Sequence, residues 1–396
     1  MARLLKQCFR WYGPQDPVTL KDIRQCGAEG LYTSLHQIPY GEVWPQAAIR
    51  ERKELIERAG LGWEAVESLP VSESIRLRAG PFEQHIGNYR ASLRNLAAEG
   101  IRVVIYNFMP VLDWVRTDLA HRLEDGAECL RFDPVHFAAF EVHLLKRAGA
   151  EKDYTPGQLA AAQAFIESMD SNQSHHFGQR IIDSFPGGTI GFTLDGIRAL
   201  LRDYEGVDAA RLREHYRLFL EAVVPAAEDC GVRLAVHPDD PPFSILGLPR
   251  IVSTERDLKA IVEMVPSPAN GLCFCAGSLG ANPANDLPGL INRLGQRIHA
   301  VHLRSVQRER DGSFYEARHL EGSVPMSCVM NNLLRLNSRR PAGQGLSFRP
   351  DHGHRILDDL SKPPNPNPGY DYLGRVRGLA ELRGLQLGLA YHAPRV

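Results

Sequence analysis

Short runs of β-branched, aromatic and other apolar residues alternate along the chain with stretches in which apolar residues recur every three or four positions. The first pattern predicts buried strands, and the second predicts amphipathic helices. Strands are predicted at residues 4–12, 30–36, 63–68, 101–108, 232–240, 270–277, 297–305 and 346–353. Helices are predicted at residues 19–27, 45–60, 85–100, 253–265, 285–295, 327–337 and 374–384. The pattern therefore predicts an α/β protein in which strands and helices alternate.

This alternation is interrupted between residues 109 and 230. The segment contains helical patterns, such as FAAFEVHLLKRAG and ARLREHYRLFLEAVVPAAEDCG, but its pattern predicts no strand. We interpret 109–230 as a helical insertion followed by the next helix of the alternating pattern. Because four predicted strands precede it and four follow it, residues 1–396 are predicted to form a single domain.

Eight strands that alternate with helices are typical of a (β/α)8 barrel, or TIM barrel. A doubly wound sheet is the alternative, because it is built from the same alternation of elements. Such sheets often bind a dinucleotide through a GxGxxG turn after an early strand, and this sequence has no such turn there. The sequence therefore favours a (β/α)8 barrel with a helical insertion between strands 4 and 5.

Composition and charge exclude several classes of protein. The chain has 396 residues, of which 43% are hydrophobic and 23% are charged, and its formal net charge is -1. A net charge this close to zero provides no positive electrostatic field that would attract nucleic acid. No apolar run approaches the roughly 20 residues that a helix needs to span a bilayer. Seven widely scattered cysteines and the absence of a signal-peptide pattern predict free thiols in a reducing cytoplasm. We therefore expect a cytoplasmic protein without nucleic-acid or membrane partners.

Polar side chains that can bind a ligand or transfer a proton stand at the C-terminal end of every predicted strand. In strand order they are Arg10, His36, Glu67, Asn107, His237, Cys275, His302 with Arg304, and Asp351 with His352. Any one of them alone is simply explained as a structural residue or a loop residue. However, the active site of a (β/α)8 barrel lies at this end of the strands, so we expect these residues to surround one site.

The last four strands offer a full set of ligands for one divalent transition metal ion. The set is His237, Cys275, His302 and Asp351, which together provide two imidazoles, a thiolate and a carboxylate. The thiolate and the carboxylate carry the two negative charges that balance such an ion. Cys273 shares a strand face with Cys275 but lies one layer deeper, so we assign it to the core. The sequence therefore predicts a single metal site with mixed ligands.

Several long and unusual blocks of the sequence closely resemble the mannonate dehydratase family. These blocks are RWYGPQDPV (10–18), LHQIPYGEVW (35–44), YNFMPVLDWVRTDL (106–119), LRFDPVHFAAFEVHLLKRAGA (130–150), AVHPDDPPFSILGLPRIVST (235–254), HLRS (302–305), RPDHGHRILDDL (349–360) and NPGYDYLGRVRGLAELRG (367–384). They occur in the same order as in the family and span essentially the whole chain. The resemblance is weakest at 151–215 and 306–345.

The resemblance implies a xylose-isomerase-like barrel that dehydrates D-mannonate to 2-keto-3-deoxy-D-gluconate in the breakdown of D-glucuronate. It also implies one Mn²⁺ or Fe²⁺ ion, a choice that the ligand types alone leave open. The metal ligands of the family map onto the four residues selected above. His352 and Tyr370 match the residues proposed in the family for proton transfer, and which of them is the acid and which the base stays open.

Other polar residues near the strand ends are candidates for binding the substrate, D-mannonate. Arg10, Arg304 and Arg349 are candidates for its carboxylate, because a guanidinium binds a carboxylate through two parallel hydrogen bonds. His36 and Asn107 are candidates for its hydroxyl groups. The sequence therefore predicts a binding site for a small sugar acid around the metal ion.

Two alternative functions stay open in the sequence. A metal-dependent sugar isomerase or epimerase on the same barrel commonly uses several carboxylates around two metal ions, whereas this chain offers Asp351 and at most Glu67. A non-catalytic sugar-acid-binding protein is the second alternative, although the intact set of ligands and proton-transfer candidates argues against it. The 109–230 insertion is expected to form a lid over the barrel or the contact of a homo-oligomer, most simply a dimer.

Overall fold

A computed structural model describes residues 3–185 and 192–392 of the chain. Its strands are β1 (Lys6–Arg10), β2 (Gly30–Thr33), β3 (Gly62–Glu67), β4 (Val103–Tyr106), β5 (Asp118–Arg122), β6 (Glu128–Phe132), β7 (Arg233–Val236), β8 (Asn270–Cys275), β9 (Ile298–Leu303), β10 (Ser305–Arg308), β11 (Phe314–Ala317) and β12 (Ser347–Pro350). Its α-helices are α1 (Leu20–Gln25), α2 (Gln46–Arg58), α3 (Glu73–Leu77), α4 (Phe82–Ala98), α5 (Pro134–Ala138), α6 (Pro156–Glu167), α7 (Ser171–Asp183), α8 (Leu194–Asp203), α9 (Ala209–Asp229), α10 (Glu255–Met264), α11 (Ala276–Gly280), α12 (Leu287–Leu294), α13 (Met326–Ser338) and α14 (Tyr372–His392). A π-helical segment at Ala139–Leu144 extends α5.

Eight parallel strands close into a barrel in the order β1-β12-β9-β8-β7-β4-β3-β2. These are the eight strands that the apolar pattern predicts, and the prediction of a (β/α)8 barrel is confirmed. The ring closes where β1 pairs with β12, with Lys6 beside Ser347. Because every strand runs in the same direction, the C-terminal ends of all eight strands lie at one mouth of the barrel.

Eight buried side chains form a separate apolar cluster inside the barrel. They are Cys8, Tyr32, Ala65, Val103, Ile105, Ala235, Cys273 and Ala300. Successive residues of a strand point to opposite faces, so Phe274 packs outward in the large apolar layer beneath the helices. Cys275, one residue further, returns to the inner face at the end of β8. The apolar filling therefore stops one layer below the mouth, where the polar strand ends begin.

The segment between β4 and β7 contains two strands, so the prediction that it has none is wrong. The strands β5 and β6 pair antiparallel with each other, and β6 also pairs with β11, giving a second sheet in the order β10-β11-β6-β5. Helices α5 to α9 make up most of the rest of the segment. The apolar pattern misses β5 because this strand is partly exposed along its length and has no regular apolar alternation.

The helix boundaries agree with the predicted ones to within three residues except at the end of the chain. Thr19 caps α1 through the reciprocal hydrogen bonds of a capping box with Asp22. The last helix, α14, begins at Tyr372 and ends at His392, whereas the pattern predicts its end at Gly384. A glycine is a frequent helix terminator, but this one lies inside the helix. Neither α14 nor any other helix in the described ranges is apolar enough over a sufficient length to cross a bilayer.

The start of α14 lies directly against the loop that follows β12. A Cβ atom added at Gly374 would overlap the carbonyl oxygen of His354, and one added at Gly353 would lie 2.6 Å from the backbone nitrogen of Arg375. These are contacts of backbone with backbone, so no side-chain rotation can relieve them. Glycine at both positions therefore lets α14 support the loop at 351–354.

Replacing Gly374 by Ala is expected to lower the free energy of unfolding by about 1–3 kcal/mol, because the added methyl group must displace the His354 backbone. Gly384→Ala is the matched control, since nothing lies within 4 Å of the added carbon in the same helix. That control should keep the stability of the wild type or raise it by up to about 1 kcal/mol. Thermal unfolding measures both variants, and equal stability for the two would show that the close approach is unimportant.

Candidate active site

The barrel brings the four predicted metal ligands together at the mouth. Cys275 is the last residue of β8, His302 lies near the end of β9, and His237 and Asp351 directly follow β7 and β12. The strand register places Cys275 beside His302 and places His302 beside Arg349. We call His237, Cys275, His302 and Asp351 the ligand cluster.

The potential ligand atoms at the mouth lie close to one another. The ligand atoms of Cys275, His302 and Asp351 all lie within 4.8 Å of one another, and those of His237, Cys273 and His302 form a second such group that shares His302. Bonds of about 2.0–2.3 Å to one ion would bring its ligand atoms to within about 4.6 Å of one another, slightly closer than this limit. The Nδ1 atom of His237 lies 2.7 Å from the Pro238 carbonyl oxygen, to which it donates, so Nε2 faces the cluster. Two imidazoles, a thiol and a carboxylate, which are ligand types of divalent transition metal ions, thus lie at one end of the barrel.

The ligand cluster holds negative charge on its thiol and carboxylate. Burial and the nearby Asp351 raise the pKa of the Cys275 thiol, but hydrogen bonds from His237 and His302 outweigh them and hold that pKa well below its ordinary value. Burial lowers the pKa of His237, and the neighbouring Cys275, Asp351 and Glu67 raise it to about 9. The buried thiolate and carboxylate therefore stabilise positive charge at the imidazole of His237.

Cys273 lies one layer below Cys275 and belongs to the interior group with Cys8 and Ala300. Burial raises the pKa of its thiol well above the ordinary value. Its sulfur nevertheless lies 3.5 Å from Nε2 of His302. The histidines of the ligand cluster therefore lie within reach of two thiols, one in each of two adjacent layers of the barrel. Substituting Cys273 and Cys275 separately distinguishes the roles of the two cysteines.

Behind the ligand cluster lies a buried group of two arginines and two acidic residues, Arg116, Asp240, Arg304 and Glu316, which we call the charge network. Arg304 donates to Asp240 at 2.6 Å and to Glu316 at 2.5 Å. Arg116 donates to the same two carboxylates at 2.7 and 3.0 Å. Nε of Arg304 also lies 3.1 Å from Oδ2 of Asp351. The charge network therefore connects the second sheet and the loop after β7 to one residue of the ligand cluster.

Arg349 holds the other side of Asp351. Its Nη1 atom donates to Oδ1 of Asp351 at 2.5 Å, and its Nε atom donates to Oε2 of Glu67 at 2.8 Å. Oε2 of Glu67 in turn lies 3.4 Å from Nε2 of His302. Arg304 and Arg349 were selected from the sequence as candidates for the substrate carboxylate, but in the structure both guanidinium groups bind carboxylates of the protein itself.

Arg10 stands at the end of β1 and has no ion pair with a carboxylate anywhere in the described part of the chain. Its guanidinium donates to the Tyr32 carbonyl oxygen and lies 3.4 Å from Nε2 of His36. It also lies over the ring of Tyr12, at 4.3 Å from the centroid. The His36 side chain is exposed, so this corner of the mouth opens to solvent. Asn107 directly follows β4 and is half-buried, and its side chain forms a hydrogen bond with Asp113.

His352 and Tyr370, the two residues selected for proton transfer, approach the same oxygen atom of Asp351. The Tyr370 hydroxyl donates to Oδ1 of Asp351 at 3.0 Å, and Nε2 of His352 lies 4.0 Å from it. The two rings meet edge to face with their centroids 4.9 Å apart. Burial raises the pKa of Tyr370 well above its usual range, although Arg349 acts against this, so the phenol holds its proton. Two groups that can carry protons therefore flank one residue of the ligand cluster.

Several residues around His352 were not found from the sequence. The Trp114 ring lies 5.6 Å from the His352 ring, and Oε1 of Glu316 lies 2.7 Å from its Nδ1 atom. Glu316 belongs to the segment 306–345, where the family resemblance is weakest. The sequence contains one feature that points to Glu316. Phe314 and Glu316 lie two residues apart on the same face of a short strand, so an acidic residue stands on an apolar face. Tyr12 was also missed; its ring meets the Tyr370 ring edge to face with the centroids 5.0 Å apart, and it lies two residues after Arg10.

The chain matches the family model described as D-mannonate dehydratase (UxuA) over residues 5–395. The mannonate dehydratases of Chromohalobacter salexigens and Marinomonas sp. are each 50% identical to it, over 97% of this chain and 99% of each relative. The crystal structure of mannonate dehydratase from Streptococcus suis serotype 2 has a TM-score of 0.78 and 32% identity, covering 99% of this chain and 95% of that one. A more distant structural relative is a xylose isomerase-like TIM barrel protein from Mycobacterium smegmatis, solved in complex with magnesium. It has a TM-score of 0.51 and 14% identity, and the match covers 97% of this chain and 98% of that one. At this identity the likeness shows the fold alone.

Proposed function

The chain belongs to the D-mannonate dehydratase family, a family of hydro-lyases, and we propose that it removes water from D-mannonate to give 2-keto-3-deoxy-D-gluconate with one Mn²⁺ or Fe²⁺ ion bound. The observation that carries this proposal is the ligand cluster. Four side chains of suitable chemistry converge there, next to two groups that can carry protons. The many buried carboxylates nearby are paired with arginines, which favours one metal ion over the two-metal sites of sugar isomerases.

The reaction must remove the proton from C2 of the sugar acid and expel the hydroxyl group from C3. Because C2 lies next to a carboxylate, the negative charge that develops there is very unstable in water, and the site must stabilise it. His237, Cys275, His302 and Asp351 would hold the divalent ion, whose Lewis acidity toward substrate oxygens supplies this stabilisation when it is bound. The enol that results tautomerises to the 2-keto acid.

We propose that His352 and Tyr370 move the two protons of the reaction. One group must take the C2 proton, and another must protonate the departing hydroxide, as in general acid–base catalysis. Both side chains are buried at the mouth of the barrel and flank Asp351, so a substrate held at the ligand cluster would lie within reach of both. The buried rings also exclude water from the reacting atoms.

For substrate binding, we propose Arg10 as the residue that binds the carboxylate of D-mannonate. It is the one of the three candidate arginines without a carboxylate partner among the described residues, and it adjoins the exposed His36. His36 and Asn107 remain the candidates for hydroxyl groups. Arg304 and Arg349 are proposed to act indirectly, by fixing the orientation of Asp351.

The cellular compartment and the metabolic context are inferred from the cysteines and from the proposed reaction. All seven cysteines are free thiols, which suits a reducing compartment, so we propose a cytoplasmic enzyme of D-glucuronate breakdown. The homo-oligomer, most simply a dimer, stays a prediction that sedimentation analysis of the purified chain tests.

Removing the metal with a chelator is expected to abolish the formation of 2-keto acid from D-mannonate, and adding Mn²⁺ or Fe²⁺ should restore it. The product should be lighter than the substrate by one water molecule in mass spectrometry, whereas an isomerase or epimerase would leave the mass unchanged. A sample that received Mg²⁺ in place of Mn²⁺ or Fe²⁺ controls for a nonspecific effect of a divalent ion. Inactivity with both Mn²⁺ and Fe²⁺ would refute the proposed function.

A further inference from the structure

We propose that Glu316 is a positioning residue for His352, which holds the imidazole proton on Nδ1 and leaves Nε2 as the nitrogen that exchanges a proton with the substrate. The inference rests on the proposed function, in which His352 moves a proton, and extends it to a residue outside the barrel. No contact between Glu316 and the ligand cluster is found in residues 3–185 and 192–392, whereas Glu316 contacts His352 directly.

The contact between the two side chains defines which nitrogen carries the proton. Oε1 of Glu316 lies 2.7 Å from Nδ1 of His352, and both side chains are buried. A carboxylate only accepts hydrogen bonds, so Nδ1 must be the donor. In a neutral imidazole the lone pair then belongs to Nε2, which lies on the side of the ligand cluster, 4.0 Å from Oδ1 of Asp351. The histidine is thereby oriented with its free nitrogen toward the site of reaction.

The charge network keeps Glu316 ionised and fixed for this task. Burial alone would raise the pKa of its carboxyl group, but His352, Arg304 and Arg116 lower that pKa to about 2. Oε1 accepts from Arg304 at 2.5 Å and from Arg116 at 3.0 Å as well as from His352. Arg304 also lies 3.5 Å from Nδ1 of His352, but both atoms are donors, so the carboxylate is the partner of the imidazole.

The second sheet explains how Glu316 reaches His352. β10 begins two residues after β9 ends, so the sheet continues directly from the mouth of the barrel. The antiparallel register sets Glu316 opposite Val306, close to the end of β9 where Arg304 lies. A partner for His352 therefore comes from the β10–β11 hairpin and from none of the eight barrel strands. We infer that delivering this carboxylate is one function of the second sheet.

Replacing Glu316 by Gln is expected to lower kcat about 10²-fold or more while KM and the metal content change little. Glutamine keeps the size of the side chain, but its amide can present either an oxygen or an NH2 group to Nδ1, and it has no charge to stabilise an imidazolium. The orientation and proton position of His352 are then no longer fixed. A variant with the kcat of the wild type would overturn the proposal.

Asp240→Asn is the matched control, because Asp240 is the other carboxylate of the charge network. It bonds to the same two arginines as Glu316, and no contact between it and His352 is found among the described residues. A purely structural role of Glu316 predicts similar losses of thermal stability and of kcat in the two variants. A positioning role predicts a much larger loss of kcat in Glu316→Gln at similar stability. Equal losses of both quantities would therefore contradict it.

A spectroscopic measurement on the wild-type protein tests the proton position without any turnover. Long-range correlation of ring protons with nitrogens in histidine labelled with ¹⁵N distinguishes a proton on Nδ1 from one on Nε2, and His352→Asn identifies the signal. We expect a proton on Nδ1 of His352. A neutral His352 with its proton on Nε2 would overturn the proposal even if D-mannonate is dehydrated. Conversely, a wild type that is inactive on D-mannonate refutes the function and leaves this measurement valid.

Discussion

Replacing Cys275 by Ser is expected to remove the metal ion from the purified protein and to lower kcat/KM for D-mannonate by about 10³-fold or more, since a Lewis acid contributes several kcal/mol to the barrier. Serine is nearly the same size as cysteine, so the barrel should fold normally. Its hydroxyl does not ionise near neutral pH, and the ligand cluster then loses one of its two negative charges. Metal analysis and steady-state kinetics measure the two effects.

Cys273→Ser gives this experiment a control on the same strand and the same face, two residues earlier. If Cys273 belongs to the core, its variant should keep the metal ion and most of the activity. After substitution with Co²⁺, the absorption band of a thiolate bound to the metal should persist in Cys273→Ser and disappear in Cys275→Ser. The reverse pattern would place the thiolate ligand one layer deeper, beside Nε2 of His302, from which the Cys273 sulfur is 3.5 Å away.

The barrel and the convergence of the ligand cluster follow from information that lies locally in the sequence. Each barrel strand has its own apolar run, and each run ends in a polar residue. Once eight parallel strands close, the ends of β7, β8, β9 and β12 must be neighbours, so His237, Cys275, His302 and Asp351 come together without any further information. Their assignment as metal ligands is a proposal that rests on this convergence and on their chemistry.

The second sheet and the charge network depend on pairings between distant parts of the chain, so local patterns do not reveal them. The strand β6 finds its partner in β11, far along the sequence, and polar side chains leave β5 without a regular apolar alternation. The ion pairs of the buried arginines also join distant parts of the chain. Two-residue alternation puts Arg349 and Asp351 on one strand face, but nothing in the local sequence shows that Arg349 binds Glu67 or that Arg304 binds Asp240 and Glu316. Ion pairing in the folded chain therefore changes which arginine is available to a substrate.

Replacing His352 by Asn is expected to leave the metal ion in place and to lower kcat by about 10²–10⁴-fold, the usual contribution of a general acid or base. The described contacts of His352 assign it no place in the ligand cluster, because Nδ1 bonds to Glu316 and Nε2 lies 4.0 Å from Oδ1 of Asp351. An asparagine amide can still donate to Glu316 and so preserves that contact. It has no group that gains or loses a proton near neutral pH, so the chemical step should fail while substrate still binds.

His354→Asn is the control for this variant, because His354 is also buried and lies only two residues further along the same loop. Its Nε2 atom bonds to the Glu316 carbonyl oxygen at 2.7 Å, so its loss should cost about 1 kcal/mol of stability and leave most of kcat intact. Loss of the metal ion in His352→Asn would show that His352 is a ligand, and an unchanged kcat would remove it from the reaction. A large fall in kcat at wild-type metal content, found in His352→Asn and absent in His354→Asn, would distinguish a proton-transfer group from a residue that merely supports the loop.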